Sequence, residues 1–554
     1  MEERQILRAF LLMFLVVTVY YTLFPPAAPR PKQEVAPAAA SDTASAPPRP
    51  VDAAAAAAPT AAPQVARVAA AAEYRVEVVT PDVEVAFKNR GARLVSWKLS
   101  HYRDVLGQPE EMVQTTADGP LPFDLETGDA DVDARLREAL FKASTERLEL
   151  KAAEEGAVVF EFADGDLAVR KELRFTGKGY LVEAKASVER AGRPVTTRLL
   201  WGPGVGHPSP AERKVQGFEE PNGVARVGGE VVRVPVKEKG ARYDELGWIG
   251  VEGRHFAALW VPPTGSAGGE LRHVDVPGDL AGAKRRASVA LVGLGSGGEP
   301  ARLYVGPKDY YILKGLGDDL VGVVPIGDWI GRIVVFMMDV LRWLHGYTGN
   351  YGWAIVALTV MISLIMAPIR HYGIVNGRKM AKMAPELKVI QDRYRKMAAL
   401  DPRRQEMHKE MAVVYAKHEM SMTGQMLVGC LPLLITMPFL FAVYKVLNVS
   451  IDLRGAGFHW IPDLSQADPY FITPLLMGVS MFLMQKMTPT TMDPAQQRMM
   501  MIMPIIFLAF VWAVPAGLNL YWAVSNICSI IQQAGTLKLL ANRDAASMKV
   551  QKRR

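Results

Sequence analysis

The stretch LVGCLPLLITMPFLFAVYKVLN, residues 427–448, determines how the rest of the chain is interpreted. It offers about 20 mostly apolar residues, the length that a helix needs to cross the hydrocarbon core of a bilayer. It also contains Pro432, Pro438 and Lys445. In lipid, prolines need neighbours that take up the freed carbonyls, and a lysine needs a partner or a wet cavity. The stretch therefore predicts a helical bundle with a polar interior, unless the prolines are only packing kinks and Lys445 snorkels to an interface.

Further apolar runs extend this prediction to a multi-pass protein. Together with residues 427–448 they give five candidate spans after residue 350, at about 351–369, 428–448, 470–486, 499–514 and 517–536. The run 6–24 has Arg4 and Arg8 at its start and is either a cleaved signal peptide or an uncleaved anchor; its length favours the anchor. The sequence thus predicts a polytopic α-helical membrane protein with six transmembrane helices, five of them in a core.

Charge assigns the loops to the two sides of the membrane. The segment 370–425 is rich in Lys and Arg, whereas the loop 449–469 has one cation, Arg454, against three aspartates. Because basic loops stay in the cytoplasm, this segment, the loop 487–498 and the tail are predicted to be cytoplasmic, with both termini inside. Helical periodicity in the segment is broken at residues 400–402, which predicts a hairpin of two charged helices.

The charge of this hairpin has two compatible interpretations. It is a solvated surface that also fixes the topology, or a docking surface for anionic lipid head groups or ribosomal RNA. The candidate contacts are Arg370, Arg378, Lys379, Lys382, Arg403 and Arg404.

In the middle of the chain, apolar residues recur at every second position. Segments such as YRVEVVT (74–80), DVEVAFK (82–88) and LAVRKELRF (167–175) alternate apolar with polar residues and are separated by turn signals. This pattern is typical of a large antiparallel β-sandwich, which we expect to be periplasmic. Residues 135–150 could add a helix or a strand. A helix over 329–344, apolar on one face, suits the membrane interface; the alternative is a packing helix between domains.

These patterns give a complete domain organisation. The predicted parts are an anchor (1–24), an Ala/Pro-rich flexible linker (25–72), the sandwich (73–310), a connecting segment with the interfacial amphipathic helix (311–348), a membrane core (349–538) that includes the hairpin (370–425), and a basic cytoplasmic tail (539–554).

The sequence offers little support for cofactor chemistry. Its two cysteines, Cys430 and Cys528, lie in candidate spans, so a disulfide framework is excluded, and no Cys/His cluster suggests zinc. No GxxxxGK[ST] loop indicates ATP use. We expect no cofactor and no enzymatic activity. Two alternatives are a transporter, which would need inverted repeats or intramembrane acids, and a membrane-tethered carbohydrate enzyme, which would need clustered carboxylates.

Several long motifs resemble one family. GCLPLLITMP (429–438), LRGAGF (453–458), the run 463–504 and PAGLNLYWAVSNICSIIQQ (515–533) are similar to the YidC/Oxa/Alb insertases of Gram-negative type, as are LGWIGVEGRHFAALWVP (246–262) and LYVGPKDY (303–310). The resemblance implies a membrane protein insertase and chaperone of the inner membrane with a periplasmic β-supersandwich. It further implies a polar groove open to cytoplasm and lipid but closed on the periplasmic side, with nascent membrane-protein substrates and, when the chain does not act alone, the Sec translocon as partners. The basic hairpin and tail add the ribosome and membrane lipids as candidate partners.

The same resemblance implies the groove residues. Thr359 and Tyr521 match polar family positions, Thr436 stands for a glutamine, and Trp522 for a second tyrosine. Ser363 occupies the position that usually carries a cation, five residues before the proline, Pro368, that ends the first core helix. Our hypothesis is that Lys445 or Arg370 supplies the positive charge instead, and Lys445 is the better candidate because it lies on a spanning segment.

Overall fold

The structure is a computed structural model. It describes residues 67–104, 106–114, 119–206, 220–266, 268–277, 284–294, 299–327, 330–394, 404–418, 437–488, 494–512 and 514–551. The predicted anchor, most of the linker, Thr436, Arg403 and the break at residues 400–402 lie outside these ranges.

The described strands form three sheets between residues 75 and 307. The largest has the order β14-β13-β16-β17-β20-β10-β9-β8-β6, with β11 paired to β10; the others are β4-β3-β2-β1-β7 and β15-β18-β19-β12-β5. The strands are β1 Arg75–Val79, β2 Val83–Lys88, β3 Arg93–Arg103, β4 Pro109–Glu111, β5 Leu125–Glu126, β6 Lys142–Ala143, β7 Arg147–Glu149, β8 Glu155–Asp164, β9 Leu167–Thr176, β10 Leu181–Arg190, β11 Arg193–Val195, β12 Arg198–Trp201, β13 Asn222–Val227, β14 Glu230–Val234, β15 Ala241–Tyr243, β16 Trp248–Glu252, β17 Phe256–Val261, β18 Gly269–Pro277, β19 Lys284–Gly293 and β20 Ala301–Pro307.

The alternating pattern forms these strands because it gives each one an apolar face. On β2 the buried positions alternate with exposed or half-buried ones, and on β9 the odd-numbered side chains from Leu167 to Phe175 are buried. Between the sheets the core holds four fully buried tryptophans: Trp97, Trp201, Trp248 and Trp260. The predicted antiparallel sandwich is confirmed in the described strands, with the exception of β1 and β7, which pair in parallel.

The ambiguous residues 135–150 contain both kinds of structure. Helix α1, Ala130–Glu138, begins at Asp129, whose side chain accepts hydrogen bonds from the backbone N–H groups of Asp131 and Val132. The short strands β6 and β7 follow it. At the start of the domain, Val68 pairs with Ala163, so chain–sheet pairing begins five residues before the predicted boundary at residue 73.

A buried ammonium group joins the sheets inside the sandwich. Lys171 on β9 is fully buried, and its Nζ donates to the carbonyls of Gly91 (3.4 Å), Ala92 (2.8 Å) and Phe123 (2.7 Å). All three acceptors have positive φ, which is uncommon for Ala and Phe. Burial lowers the pKa of Lys171 to about 7, while the nearby Asp124 carboxylate opposes that effect. The ammonium therefore satisfies carbonyls that no strand partner reaches.

Beyond β20 the described chain is helical. The helices are α2 Tyr310–Leu316, α3 Gly331–Thr348, α4 Tyr351–Tyr394, α5 Arg404–Lys417, α6 Met437–Val449, α7 Ile472–Met487, α8 Pro494–Val511 and α9 Ala516–Gln551. Helix α3 is the predicted amphipathic helix. It buries Val334, Met337 and Leu341 against the other helices and exposes Phe336, Trp343 and Tyr347.

Helix α4 corrects one expectation. We expected the first core helix to end at Pro368, but α4 continues through Pro368 and Pro385 to Tyr394. Proline removes one backbone donor and usually kinks or ends a helix. Here α9 packs against α4 on both sides of Pro368, with hydrogen bonds at Ala367 and His371, and these contacts keep the helix continuous.

The number of membrane spans is only partly supported. Among the residues described, α4 is long and apolar enough to cross a membrane, whereas α6, α7 and Met499–Leu508 of α8 are shorter apolar helices. Each of the five predicted core spans overlaps a helix. The count of six transmembrane helices is not confirmed.

Replacement of Lys171 should destabilise the sandwich. In Lys171→Met the three carbonyls lose their donor, so we expect the free energy of opening of β8–β10 to fall by about 3 kcal/mol. Native-state hydrogen exchange on the full-length chain in detergent measures it. Lys185→Met on the neighbouring strand β10 is the control, because Lys185 is exposed. Equal exchange in the two variants would contradict the structural role of Lys171.

Candidate functional site

Helix α4 carries a polar stripe that enters the helical core. Thr359, Ser363 and Arg370 are spaced by four and seven residues, so they lie on one face of the helix. Thr359 and Ser363 are buried, and the Thr359 hydroxyl donates to the carbonyl of Ile355 at 2.6 Å. Arg370 is half-buried, within electrostatic range of the Tyr521 hydroxyl and the Cys528 thiol on α9. The polar stripe of α4 therefore consists of two hydroxyl side chains followed by the positively charged Arg370.

Polar contacts join α4 to α9 around Pro368. Gln532 Nε2 donates to the carbonyl of Ala367 at 2.6 Å, and Thr536 Oγ1 lies 3.1 Å from His371 Nδ1. Two turns further along α4, the Arg378 guanidinium donates to the carbonyl of Leu537 at 3.4 Å. These bonds hold the part of α4 that follows Pro368.

The other side of α9 makes polar contacts with α7. Asn526 Nδ2 donates to Ser480 Oγ at 3.1 Å, and Gln533 Nε2 donates to the carbonyl of Met487 at 2.8 Å. Asn519, one heptad earlier, is fully buried, and its Nδ2 donates to the carbonyl of Val511 at 3.3 Å. Helix α9 is therefore polar on two faces, towards α4 and towards α7.

Several buried polar atoms in this region have no partner among the described residues. They are Arg370 Nη1, Asn376 Nδ2, Thr473 Oγ1, Gln485 Oε1 and Asn519 Oδ1. Buried polar groups are normally hydrogen-bonded, and leaving one unpaired costs about 1–3 kcal/mol. Water or another polar group is the usual partner of such atoms.

The predicted groove residues are brought together only in part. Tyr521 is buried in the same helical cluster as Leu358 and Ile362, the neighbours of Thr359 and Ser363. Trp522 turns towards α8, with its ring 5.6 Å from that of Phe507.

Lys445 is not brought to these residues. Its Nζ donates to the carbonyl of Pro325, in the connection between the sandwich and α3, at 3.2 Å. This position agrees with the alternative in which Lys445 snorkels to an interface. The assignment of the groove cation to Lys445 or to Arg370 stays a prediction.

Some of the charged side chains of the hairpin form ion pairs with each other. Arg393 of α4 pairs with Glu410 of α5 at 2.9 Å, and Lys417 pairs with Glu386 at 3.1 Å. Met383, Leu387 and Tyr415 form a small apolar core between the two helices. Of the predicted contact residues, Lys379 and Lys382 are exposed, whereas Arg370 and Arg378 face α9.

The outward faces of the helices are apolar. Large side chains are exposed along α4, α7, α8 and α9, including Leu364, Ile365, Leu475, Val479, Ile505 and Ile531. Exposed apolar patches of this extent mark a membrane or protein interface. Among the described residues, no group of His, Cys, Asp or Glu could hold a metal ion.

Comparison with known proteins agrees with this architecture. A family model described as YidC periplasmic domain matches residues 75–341, and one described as 60Kd inner membrane protein matches residues 343–543. The membrane protein insertase YidC of Geobacter metallireducens is 31% identical over 558 residues, covering 98% of this chain and 100% of the relative.

Two solved structures are also similar. The crystal structure of an active YidC insertase with its first transmembrane domain resolved is 17% identical with a TM-score of 0.34, covering 85% of this chain and 94% of that one. A galactose mutarotase-like protein from Lactobacillus casei is 11% identical with a TM-score of 0.27, covering 42% of this chain and 100% of that one.

The matched models define the class as inner-membrane proteins that carry a periplasmic β-sandwich domain and a helical C-terminal region. The identity and coverage of the relatives go further: the chain belongs to the YidC family of membrane protein insertases. Insertion is a non-enzymatic function, so the prediction that the chain is not an enzyme is confirmed by the relatives.

The sequence interpretation missed the polar faces of α9. Asn519, Asn526 and Gln533 recur at seven-residue intervals, which places them on one helical face. The same spacing relates Ser525 to Gln532 on the face towards α4. This heptad spacing was the available signal, since polar residues within a span are expected to face a partner or a wet cavity.

The two neighbouring glutamines of α9 give a matched pair of variants. Gln532→Leu removes the donor to the Ala367 carbonyl, so amide exchange in α4 near Pro368 should become about fivefold faster, the effect of one lost hydrogen bond. Gln533→Leu should leave that region unchanged and instead accelerate exchange at the end of α7. Hydrogen exchange with mass spectrometry distinguishes the two; identical patterns would exclude separate contacts.

Proposed function

We propose that this chain inserts nascent inner-membrane proteins, and helps them fold, through a polar groove bounded by α4, α7 and α9. In this proposal the groove opens to the cytoplasm and to lipid, and the chain works alone or beside the Sec translocon. Membership of the family supports the insertion role. The polar stripe of α4 and the two polar faces of α9 support the groove.

One observation carries the proposal: Arg370 Nη1 is buried on the face of α4 that holds Thr359 and Ser363, and it has no partner among the residues that the structure describes. Ser363 lies seven residues away, about 10 Å along the helix. Arg370 is therefore our candidate for the cation that is absent at position 363. Its charge would attract the acidic tail of a substrate before that tail crosses the membrane.

A hydrated groove lowers the barrier for such a tail. Moving an unpaired polar group into hydrocarbon costs several kcal/mol, so a short dry path favours passage. The apolar helix of the substrate then partitions into lipid beside the exposed aliphatic side chains of α4 and α7. For an acidic tail, the membrane potential adds about 2.3 kcal/mol per charge per 100 mV.

The topology and partners follow from charge. We infer that the hairpin and both termini are cytoplasmic, since the basic residues cluster there. The exposed Lys379 and Lys382 and the basic tail suit contact with the ribosome or with anionic lipid head groups.

Reconstitution tests the function directly. Purified full-length chain in liposomes without translocon should protect a single-span substrate with an acidic tail from added protease, because the groove lowers the barrier to its tail. Empty liposomes are the control. Absence of protection by correctly folded chain would contradict autonomous insertion.

Variants at Arg370 and Lys445 test which of these two side chains supplies the positive charge of the groove. Arg370→Ala should lower the insertion rate of the acidic-tailed substrate about fivefold, the effect of about 1 kcal/mol of attraction per cation. Arg370→Lys should retain most activity. Lys445→Ala is the comparison, because its ammonium is held at the Pro325 carbonyl.

Two results would contradict the assignment of the groove charge to Arg370. If Lys445→Ala slows insertion and Arg370→Ala does not, the groove charge belongs to Lys445. If neither variant slows insertion, and Ser363→Arg changes nothing, a groove cation is dispensable in this chain.

A further inference from the structure

The second half of α6 exposes a stripe that changes from apolar to polar. Four side chains share this face because they recur at helical spacing: Phe441, Tyr444, Lys445 and Asn448. Phe441 is 38% exposed and Tyr444 is 45% exposed, whereas the two polar side chains are half-buried. The opposite face packs into the helical core through Ala442, Val443, Val446 and Leu447. The stripe therefore faces outward, and its polar part lies near the end of the helix.

A cation of the sandwich lies beside the polar part of this stripe. Arg254 belongs to the turn between β16 and β17, and its side chain is exposed. Its Nη2 approaches Asn448 Oδ1 at 3.5 Å, while Asn448 Nδ2 donates to the carbonyl of Tyr444 at 2.8 Å. Because Lys445 and Asn448 are three residues apart on one helical face, the guanidinium and the ammonium group flank the same turn of α6.

Both cations keep hydrogen-bond donors for an anion. Lys445 Nζ donates to the Pro325 carbonyl at 3.2 Å, and an ammonium group has further N–H donors. Neither Lys445 nor Arg254 forms an ion pair with any residue that the structure describes. Asp463 is within electrostatic range of Arg254, but its carboxylate accepts hydrogen bonds inside its own loop. Two positive charges without an acidic partner in the described chain therefore flank the end of α6.

The order of groups along this face matches the order of groups in a phospholipid. Acyl chains pack against apolar and aromatic side chains, and a phosphate accepts charge-assisted hydrogen bonds from Arg and Lys. Phe441 precedes Asn448 by about 10 Å along the helix, so the apolar part of the stripe reaches below the level of the cations. A soluble anion would contact the two cations and leave the exposed rings of Phe441 and Tyr444 uncovered. The face therefore suits an anionic lipid.

We propose that Arg254 and Lys445 form a binding site for the phosphate of an anionic phospholipid, whose acyl chains lie along Phe441 and Tyr444. We call this the head-group site. One of its cations belongs to the sandwich and the other to α6, so a bound lipid bridges the two. Asn448 is a positioning residue, since it holds Arg254 beside the helix. The site is separate from the basic hairpin, and the inference does not depend on the proposed groove.

Photochemical cross-linking tests the head-group site at its own location. Full-length chain is reconstituted in phosphatidylcholine liposomes with a small fraction of phosphatidylglycerol that carries a photoreactive acyl chain. After illumination, mass spectrometry of the digested chain measures the cross-link yield within residues 437–449. With the probe below saturation, this yield follows the occupancy of the site. Excess unlabelled phosphatidylglycerol should remove the cross-link, and millimolar inorganic phosphate should not.

Removal of either charge should lower this yield. Arg254→Gln and Lys445→Gln keep a polar side chain but lose the cation, so each should lower the yield about fivefold, the effect of one basic residue near an anionic lipid. The double variant should lower it at least about tenfold. Arg254→Lys and Lys445→Arg keep the charge and should retain most of the yield.

Lys314 gives a matched control. It is an exposed cation of α2, and its ammonium group lies 5.6 Å from the centroid of the Tyr310 ring. Lys314→Gln removes one positive charge without altering the stripe, so it should leave the yield unchanged. A phosphatidylcholine probe with the same acyl chain should label α6 equally in every variant, because its head group has no net charge.

Three results would overturn the head-group site. One is the same yield in the parent and the double variant, with circular dichroism showing that both are folded. Another is an equal loss of yield in Lys314→Gln, which would mean that overall charge governs binding. The third is displacement of the probe by millimolar inorganic phosphate, which would assign the two cations to a soluble anion. Insertion is not measured, so a failure of the proposed groove would alter none of these results.

Discussion

Hydrocarbon offers no hydrogen-bond partner, so each polar group that the helical region buries must be satisfied by protein or by water. Gln532, Asn526 and Gln533 meet this requirement by donating to backbone or side-chain oxygens of α4 and α7. Arg370 Nη1 and Asn519 Oδ1 do not find such a partner among the described residues. The helices are therefore held together by buried polar side chains, and some atoms of such side chains stay unpaired among the described residues.

The sandwich also buries charged side chains, and their partners lie within the domain. Three of its buried charges, Arg93, Asp124 and Lys171, are satisfied by one another and by backbone carbonyls: Arg93 Nε lies 2.6 Å from Asp124 Oδ1, and Lys171 donates to three carbonyls. In a compact β domain this fixes loop conformations that would otherwise be unfavourable, such as the positive φ of Phe123. These charges are paired, although the sandwich too holds buried polar atoms without a partner among the described residues, such as Trp97 Nε1 and Trp260 Nε1.

Local periodicity was sufficient for much of the fold. Alternation predicted strands such as β2 and β9, because a half-buried strand needs only its own sequence to define its face. The parallel pairing of β1 with β7 joins residues about 70 positions apart, and no local pattern signals it. At Pro368 the local sequence was misleading. Proline usually ends a helix, but α4 continues because α9 packs against it through residues such as Gln532, which is 165 positions from Ala367 in the sequence.

The site was less predictable than the fold. Spacing alone places Thr359, Ser363 and Arg370 on one face once α4 is known to be continuous, but an expected helix end at Pro368 hid that relation. Lys445 was preferred because it lies in an apolar run, yet sequence gives no depth within a membrane, and its partner at Pro325 is 120 residues distant. The structure distinguishes the two candidate cations by their contacts: Lys445 donates to the Pro325 carbonyl, whereas Arg370 Nη1 has no partner among the described residues.

The length of α4 has a mechanical consequence. Its 44 residues extend for about 66 Å at 1.5 Å per residue, roughly twice the thickness of the hydrocarbon core. One end contacts the loop between α6 and α7, where Gly352 lies against Phe458, and the other carries α5, packed alongside it by Glu410 and Arg393. Because a single membrane crossing would use only about half of that length, the remainder of α4, with α5 packed on it, is long enough to lie outside the hydrocarbon.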